Sequence, residues 1–305
     1  MRPIVTIGVC ARNCESSIDN VAKSIKCQSF PHELMEVVFV DDGSDDNTLS
    51  VIRKMVPTFD MEVKVYGIKW EGLGTARNLV VDNACGKYIV WLDCDMMFPS
   101  DYVKKQVDFM TCNPNAGIAG GKYGASHQKS LVAILENLPF IITHSKYEGK
   151  ITPKLPGTGG SIYRVEAIKE VGGFDAKIKG AAEDIDAAYR VKNVGWLNYI
   201  SSATFYEKRI ETWKALWSKY FWYGYGMHFV LHKSSQIEKL YEMLPPVAFL
   251  EGLLCSSAAY RLTLKKKAFL LPLHFLFKMT AWIFGFMKSH FRSYGHKQLS
   301  SSENR

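Results

Sequence analysis

The chain has 305 residues, of which 47% are hydrophobic and 22% are charged. This is enough apolar material for a buried core, and the length suits one large domain with an appendage. The formal net charge of +8 comes from the end of the chain: residues 208–305 hold 15 basic and 5 acidic side chains, whereas residues 1–207 hold 23 and 25. A basic tail predicts an anionic partner, either nucleic acid or a membrane surface.

Seven cysteines are scattered along the chain without a CxxC pair or the spacing of a zinc site. This usage predicts reduced thiols in a protein that faces the cytosol. The sequence begins "MRPIVTIGV" and passes directly into a strand-like run, so we expect no signal peptide.

Apolar strand-like runs alternate with amphipathic helical patterns in the first half of the chain. The predicted strands are "PIVTIGVCA", "EVVFV", "EVKVYGI", "KYIVWL" and "AGIAGG". The predicted helices cover residues 15–27, about 47–55, the segment "GTARNLVVDNA", and about 101–111. This alternation predicts an α/β fold with a mostly parallel sheet flanked by helices. In such sheets, ligands bind beyond the carboxyl ends of the strands.

Two of these strand ends carry pairs of aspartates. Asp41 and Asp42 close the second predicted strand in "VVFVDDGSDDNT", and a carboxylate there can accept a hydrogen bond from a nucleotide base or a ribose hydroxyl. The alternative is turn chemistry alone, which explains Gly43 to Asn47 better than it explains the aspartate pair.

The second pair follows the apolar run at residues 88–92, in "WLDCD". On an extended chain, Asp93 and Asp95 would point to the same side while Cys94 points away. Two carboxylates on one face suit a Mg²⁺ or Mn²⁺ ion that bridges a diphosphate. The alternative is a solvated strand end, with Asp101 capping the next helix.

Two glycine-rich segments complete the pattern. "EGLGTARN" is neither GxGxxG nor a P-loop, but its glycines permit a close backbone approach, and Arg77 could meet a base or a phosphate. In "PGTGGS", the loop from Gly157 to Gly160 lacks obstructing side chains. Glu183 and Asp184 open a later helix, where acidic residues are stabilising in any case, although such a carboxylate could also serve as a general base.

Six motifs in chain order resemble those of the inverting family 2 glycosyltransferases with the GT-A fold. They are "ARN", "VDDGSDDNT", "GLGTARN", "WLDCD", "GTGGSIYR…VGGFD" and "AEDIDAAYR", and the resemblance covers about residues 4–200. It implies a GT-A-like nucleotide-sugar-binding fold and an enzyme that uses a nucleotide-diphosphate sugar as donor.

The resemblance also implies a role for each matching residue. Asp41 and Asp42 would contact the nucleotide, Asp42 at the base. The other implied residues are Asn13, Arg77 and Asn78 near the nucleotide, Asp93 and Asp95 at the diphosphate and its divalent cation, Gly159 and Gly160 on the acceptor-side loop, and Asp184 as the catalytic base.

The sequence departs from the family pattern in two places. Tyr206 and Glu207 stand where such enzymes commonly have His-Glu, which leaves a third protein ligand for the metal open, with His228 as an alternative. The QxxRW signature of processive polysaccharide synthases is missing, and "SKYFWYGYG" occupies that region. This argues against an enzyme that makes a polymer processively.

The amino-acid composition of the chain changes near residue 208, where it becomes more aromatic and apolar. Two apolar stretches, residues 244–264 and 268–287, flank three consecutive lysines. We predict a catalytic domain at 1–207, an aromatic and apolar helical region associated with membrane at 208–290, and a polar tail at 291–305.

Helices that are embedded in the membrane or lie at its interface suit this region better than a clean two-span hairpin. Lys278 lies near the middle of one stretch and Glu251 near the middle of the other, and both are costly against lipid. The lysines would face anionic headgroups on the cytoplasmic side of the cell membrane. A helical cap over the sheet is the alternative, and nucleic acid is disfavoured because the aromatic residues lie within apolar runs.

The predicted function is therefore metal-assisted transfer of one sugar to a hydroxyl of a lipid-linked or other glycan acceptor, with inversion. A polyprenyl-phosphate monosaccharide synthase is an alternative, although a phosphate acceptor is already ionised and needs no base. A catalytically silent scaffold with the same fold is a third alternative, but all of the expected carboxylates are present.

Overall fold

The computed structural model describes residues 2–124, 130–178, 181–233 and 240–292. Its internal contacts divide the chain into two compact units. The first unit comprises residues 1–124, 147–176 and 184–208, and the second comprises 125–146, 177–183 and 209–305. The second unit thus includes two segments from inside the predicted catalytic domain. The domain boundaries at 207 and 290 stay predictions, and the polar tail lies outside the described residues from 293 onward.

The first unit contains an eight-stranded sheet in the order β3-β2-β1-β4-β7-β6-β8-β5. The strands are β1 Val5–Ala11, β2 Met35–Asp42, β3 Glu62–Ile68, β4 Tyr88–Trp91, β5 Met96–Met97, β6 Ala116–Tyr123, β7 Ser161–Arg164 and β8 Leu197–Glu207. The pairs β1–β2, β1–β4, β2–β3 and β6–β8 are parallel. The pairs β4–β7, β6–β7 and β5–β8 are antiparallel. The sheet is therefore mixed, because β7 runs antiparallel to both of its neighbours and β5 runs antiparallel to β8.

Helices connect most of these strands along the chain. They are α1 Ile18–Lys26, α2 Thr48–Met55, α3 Leu73–Asn83, α4 Tyr102–Cys112, α6 Val165–Glu170 and α7 Glu183–Asn193. The second unit contains α5 Leu131–Tyr147, except for its last residue, together with α8 Trp213–Lys233, α9 Pro245–Thr263 and α10 Leu271–Phe291. The predicted α/β alternation of the first half is confirmed by these elements.

Both faces of the sheet are buried at β1, β2 and β4, which explains why these strands are nearly continuous apolar runs rather than alternating ones. In β2, Val37 and Phe39 belong to the apolar cluster on one face, and Val38 and Val40 belong to the cluster on the other. Successive side chains of a strand point to opposite faces, so a strand covered on both sides must be apolar throughout. The carboxylates at the strand ends are the exception to this rule.

One acidic side chain, Glu36, lies fully buried near the amino end of β2. It accepts hydrogen bonds from Thr6 Oγ1 (2.5 Å), Lys64 Nζ (2.8 Å) and the Cys85 amide (2.6 Å). Burial alone would raise the pKa of Glu36, but the bonds from Lys64 and Thr6 outweigh it and lower the pKa. This carboxylate links β1, β2 and β3 near their amino ends, at the edge of the sheet opposite to the aspartate pairs.

In the second unit, helices α8 and α10 pack in parallel and very closely. Trp213, at the start of α8, lies 6.0 Å from the ring of His274 near the start of α10, and His228 contacts His290 near the ends of both helices. A Cβ on Gly224 would lie 1.9 Å from the carbonyl oxygen of Trp282. Glycine is therefore required where the two backbones meet.

Polar side chains are also buried in the second unit, around Glu136 of α5. Its carboxylate lies 2.8 Å from His274 Nε2 and 3.5 Å from Lys278 Nζ, and it accepts a hydrogen bond from the Tyr220 hydroxyl at 3.3 Å. Burial would raise the pKa of Glu136, but Lys278 and His274 outweigh it and lower the pKa to about 2. Lys278 is thus paired inside the unit and is only 9% exposed, although it lies in an apolar stretch.

Among the described helices, one is long and apolar enough to cross a membrane, judged by length and composition only: residues Lys266–Phe291, which contain α10. Half of an apolar 18-residue window within this stretch is buried in the protein. A buried core helix of a soluble protein would meet the same test. The C-terminal appendage predicted from the sequence is therefore present as a candidate membrane-associated helix.

Candidate active site

The loops that follow β1 and β2 are fastened to each other. The side-chain oxygen of Asn13 accepts a hydrogen bond from the Asp45 amide at 2.8 Å, and the Asn13 amide donates to Ser44 Oγ at 3.0 Å. Asp41 accepts two hydrogen bonds from Ser44, from its amide at 3.1 Å and from its hydroxyl at 2.5 Å. Asn13 and Asp41, predicted near the nucleotide, therefore lie in one continuous group of loops.

Asp42 connects this group to the loop after β3. Its Oδ1 accepts hydrogen bonds from the amides of Glu71 (3.0 Å) and Gly72 (3.4 Å). Asp41 and Asp42 are each only 3% exposed. Both carboxylates thus accept hydrogen bonds from backbone amides of the turns. This is the role that the turn-chemistry explanation assigns to them. A contact between either aspartate and a nucleotide stays a prediction.

Sequence reasoning missed Trp70, which lies in the loop after β3 and is 65% exposed. The Arg12 guanidinium lies 4.4 Å from the centre of its ring, within the range of a cation–π contact. Gly43 has a φ of +67°, and a Cβ there would lie 2.5 Å from the Trp70 amide nitrogen. The available signal was a tryptophan in the polar segment "KWEG", since a large aromatic side chain is seldom left exposed.

The segment Asp93–Cys94–Asp95 is not extended, so the extended geometry expected from its sequence is wrong. The Met96 amide donates to the carbonyl oxygen of Asp93 at 3.0 Å, which closes a turn. The turn is needed because β4 ends at Trp91 and the chain must redirect into the short strand β5. Asp93 is partly buried and Asp95 is exposed.

The end of β8 runs beside this turn. Met96 pairs with Glu207, and Met97 pairs with Tyr206. The Lys208 amide also donates to the carbonyl oxygen of Asp95 at 2.8 Å. The Tyr-Glu pair that replaces His-Glu in the sequence thus lies next to the two aspartates, while His228 is on α8 in the second unit.

Two thiols join the turn to the loops of the first two strands. A hydrogen bond between Cys14 and Cys94 is the largest cause that lowers the pKa of Cys14 and raises that of Cys94. The Cys14 amide also donates to Thr48 Oγ1 at 2.8 Å, at the start of α2. Because of these contacts, Asp93 and Asp95 belong to the same edge of the sheet as Asp41 and Asp42.

The glycine loop at residues 157–160 contacts two of the predicted site residues. Asp184 Oδ2 accepts a hydrogen bond from the Thr158 amide at 3.2 Å, and it lies 2.9 Å from where a Cβ on Gly157 would be. A Cβ on Gly159 would lie 3.0 Å from Asp93 Oδ2. Consecutive Cα atoms are about 3.8 Å apart, so Asp93 and Asp184 approach positions on this loop that are no more than about 7.6 Å apart.

Gly160 has a structural role. Its φ is +65°, and a Cβ there would lie 2.4 Å from the Phe205 ring. The Gly160 amide donates to the carbonyl oxygen of Trp91 at 3.1 Å, and its own carbonyl oxygen accepts hydrogen bonds from the Gly121 amide and the buried Tyr102 hydroxyl. These bonds fix the loop at the end of β4, immediately before the aspartate turn.

Arg77 and Asn78 of α3 are placed beside Phe174. The side chain of Asn78 accepts a hydrogen bond from the Phe174 amide at 2.7 Å and donates to the Phe174 carbonyl oxygen at 2.8 Å. Arg77 is buried, and its guanidinium lies 5.7 Å from the centre of the Phe174 ring. Both residues therefore help to hold the "VGGFD" segment, and their predicted contact with the nucleotide stays a prediction.

The same segment is held from the other side by α7. Arg190 pairs with the buried Asp186 at 2.8 Å and donates to the carbonyl oxygens of Val171 (2.5 Å) and Gly173 (2.7 Å). These bonds fix the helix that carries Asp184 near its start. The residue before this helix, Ala182, has a φ of +91°, a strained conformation of the kind that concentrates at functional sites.

Comparison with known proteins identifies the family to which the chain belongs. The family described as "Glycosyl transferase family 2" matches residues 6–172. YdaM of Bacillus subtilis (strain 168), named as a glycosyltransferase, is 26% identical over 243 residues, which cover 76% of this chain and 57% of YdaM. The chain spans about half the length, or less, of the curated relatives that it matches.

Solved structures show the same fold at low sequence identity. A mannosyltransferase from Pyrobaculum calidifontis, PcManGT, in complex with GDP-Man and Mn²⁺, has a TM-score of 0.65 at 20% identity, covering 96% of this chain and 88% of the other. Staphylococcus aureus TarS 1-349 in complex with UDP-GlcNAc has a TM-score of 0.54 at 18% identity, covering 99% and 92%. The predicted GT-A-like fold is thereby confirmed. The chain belongs to glycosyl transferase family 2.

Proposed function

We propose that this protein transfers a single sugar from a nucleotide-diphosphate sugar to a hydroxyl group of a lipid-linked or other glycan acceptor, with inversion at the anomeric carbon and with the help of Mg²⁺ or Mn²⁺. The observation that carries the proposal is the glycine loop at 157–160, which lies against Asp93 at one position and against Asp184 at another. A carboxylate that can bind a cation and a carboxylate that can accept a proton thus lie close together.

A nucleotide sugar is the donor that the site and the relatives support. The group of loops around Asp41, Asp42 and Asn13 offers carboxylate and amide oxygens, and Trp70 with Arg12 offers an exposed aromatic face beside a cation. Such groups bind nucleotide bases and ribose hydroxyls. PcManGT was solved with GDP-Man and TarS with UDP-GlcNAc, so both nucleotide classes occur among proteins of this fold.

The residues present fit a divalent cation next to the diphosphate. Asp93 and Asp95 are hard oxygen ligands, which Mg²⁺ and Mn²⁺ prefer. Gly159 keeps open the space beside Asp93 Oδ2 that a Cβ would enter. When bound, the cation supplies positive charge that offsets the negative charge developing on the leaving diphosphate.

Asp184 is the residue that we assign to proton transfer. Its Oδ2 is held by the Thr158 amide at the glycine loop, and α7 is fixed by the Arg190 bonds. In the proposed step, the acceptor hydroxyl gives its proton to Asp184 while its oxygen forms a bond to the anomeric carbon. The bond from that carbon to the diphosphate breaks on the opposite side, and the configuration inverts.

The donor class can be tested with the full-length chain and a panel of UDP-, GDP- and dTDP-sugars, each with and without Mn²⁺. We expect one nucleotide class to raise the Tm by several degrees, because a ligand at 100 times its Kd stabilises the folded state by about 2.7 kcal/mol. The shift should be larger with Mn²⁺ than without it. The same ion without any nucleotide sugar is the control, and a panel in which no donor changes the Tm would contradict the proposal.

We also propose that the second unit attaches the enzyme to the cytoplasmic face of a membrane. Several large apolar side chains of this unit are exposed: Leu250, Leu253, Leu254, Leu262, Leu264, Phe269, Leu273, Phe284 and Phe291. Residues 265–267, three lysines, lie between α9 and α10. Apolar side chains beside a cluster of lysines are the pattern that binds the interface of an anionic bilayer. Because Lys278 is paired with Glu136 inside the unit, its charge does not oppose this contact.

Membrane attachment predicts a measurable effect of two exposed leucines, Leu254 (78% exposed) and Leu264 (76% exposed). The full-length chain should sediment with phosphatidylglycerol vesicles, and Leu254→Glu with Leu264→Glu should weaken this binding by at least about tenfold, since each leucine contributes about 1.5–3 kcal/mol when buried in an apolar phase. Ile151→Glu, an exposed apolar position in the first unit, is the matched control. Full-length protein that stays in the supernatant, or a double variant that binds normally, would argue for the helical cap instead.

A further inference from the structure

Three histidines come together where helices α8 and α10 end. His228 and His232 are four residues apart on α8 and therefore lie on one face of the helix, and His290 is in the last turn of α10. His228 Nε2 lies 3.0 Å from His232 Nε2 and 3.2 Å from His290 Nδ1. One nitrogen from each ring lies within 4.8 Å of the other two.

From this cluster we infer that His228, His232 and His290 form a zinc site that connects the carboxyl ends of α8 and α10. All three residues belong to the second unit, so the site is built independently of the aspartates that serve the proposed sugar transfer. Neutral imidazole is a good ligand for Zn²⁺, and three protein ligands leave a fourth position for water.

The number of nitrogens close to His228 Nε2 favours a shared cation over hydrogen bonds alone. With Zn–N bonds of about 2.0–2.1 Å in a tetrahedral site, neighbouring ligand nitrogens are about 3.3 Å apart. The two separations from His228 Nε2, 3.0 and 3.2 Å, fit this value and also fit hydrogen bonds. One imidazole nitrogen carries either a proton or an in-plane lone pair, so His228 Nε2 can make one well-directed hydrogen bond but has two close nitrogen neighbours. A cation accepts lone pairs from all three rings at once.

The packing of the two helices holds one of the ligands, His228, in position before a metal binds. Gly224 and Gly285 allow the backbones to meet, since a Cβ on either would lie 1.9 Å from a carbonyl oxygen of the other helix. His228 is fully buried, and its ring also packs on Phe286 at 4.8 Å. A ligand that is fixed by packing loses little freedom on binding.

The local electrostatics of the two helix ends act in both directions. Because α8 and α10 are parallel, the carboxyl ends of both helices, which carry partial negative charge, are close to the histidines. Three basic side chains at these helix ends work against this: Lys233, Lys288 and Arg292. The Nζ of Lys288, however, lies over the ring of Phe221, 5.2 Å from the ring centre. Two of the three ligands, His232 and His290, are exposed, which gives an ion access from solvent.

The test uses the full-length chain without an affinity tag, with excess Mg²⁺ to occupy carboxylate sites, and measures Zn²⁺ binding by isothermal titration. Because His232 and His290 are exposed, His232→Gln and His290→Gln remove a ligand without opening the core. Each should weaken zinc binding by more than the roughly 10–100-fold that loss of an outer-shell partner costs. His32→Gln is the matched control, since it removes an imidazole that is bonded to Asp60 in the first unit.

Two further readouts separate a zinc site from other effects. Zn²⁺ should raise the Tm of the unaltered chain and of His32→Gln, but not of the other two variants. Co²⁺ should give the intense visible absorption of a four-coordinate ion in the unaltered chain, and this absorption should be lost in His232→Gln. The seven cysteines are present in every variant, so thiol-bound zinc cancels in the comparison. Equal zinc binding by all four proteins, or no binding by any, would overturn the inference.

Discussion

Asp184→Asn is expected to lower turnover by about 10²–10⁴-fold, which is the usual contribution of a general base. A hydroxyl group is a poor nucleophile at neutral pH, and an amide cannot take its proton. Asparagine keeps the size of the side chain and an oxygen that can accept the Thr158 amide, so the loop at 157–160 should keep its conformation. The measurement is steady-state turnover of the donor, with donor affinity determined separately by titration.

Donor affinity should stay close to that of the unaltered enzyme in this variant. Asp108→Asn is a suitable control, since it removes an exposed carboxylate that pairs with Lys104 on the surface of α4. If donor affinity falls as much as turnover, Asp184 binds the donor and is not the base. If turnover is unchanged, the acceptor is already ionised, and a polyprenyl-phosphate monosaccharide synthase becomes the better explanation.

Asp93→Ala and Asp95→Ala should each abolish the metal dependence of donor binding. The contribution of a bound cation at a developing phosphate charge is several kcal/mol, so we expect a loss of at least about 10²-fold in donor affinity with Mn²⁺ present. Asp95 is exposed and Asp93 is only partly buried, and therefore the Tm of both variants without ligand should stay close to normal. Titration of the donor with Mn²⁺ and with EDTA measures the effect.

The surface substitution Asp108→Ala controls for the loss of one negative charge in this experiment. In the unaltered enzyme, EDTA should remove activity and Mn²⁺ or Mg²⁺ should restore it. Turnover that continues undiminished in EDTA would show that Asp93 and Asp95 have another role. In that case the turn they form, with its contact to Lys208 at the end of β8, would be structural.

The fold class and the family were predictable from the sequence, because their signals are local. Each apolar run in "PIVTIGVCA" or "EVVFV" reports that both faces of a strand are covered, and this is what the two clusters around β2 show. Turns and helix starts depend on residues that are close together in the sequence. The approximate positions of α1 to α4 were therefore also predictable. The order of the six motifs along the chain indicated the family.

Strand direction and the shape of the aspartate turn were decided by the tertiary structure. An apolar pattern has no direction, so nothing in "GSIYR" indicated that β7 runs antiparallel to both β4 and β6. The expectation of an extended chain at Asp93–Asp95 failed because the chain must turn into β5, which pairs with a strand more than 100 residues later. Trp70 and Arg12 were missed because their contact joins loops of two different strands.

Several contacts within the candidate site, the histidine cluster and the second unit link residues far apart in the chain. Asp184 meets the glycine loop across 26 residues, His228 meets His290 across 62, and His274 meets Glu136 across 138. By itself, the sequence determined which residue types were available at strand ends and helix starts, since those depend on a few neighbours. Only the packed structure decided which of them touch, because that depends on how helices and loops close over long stretches of chain.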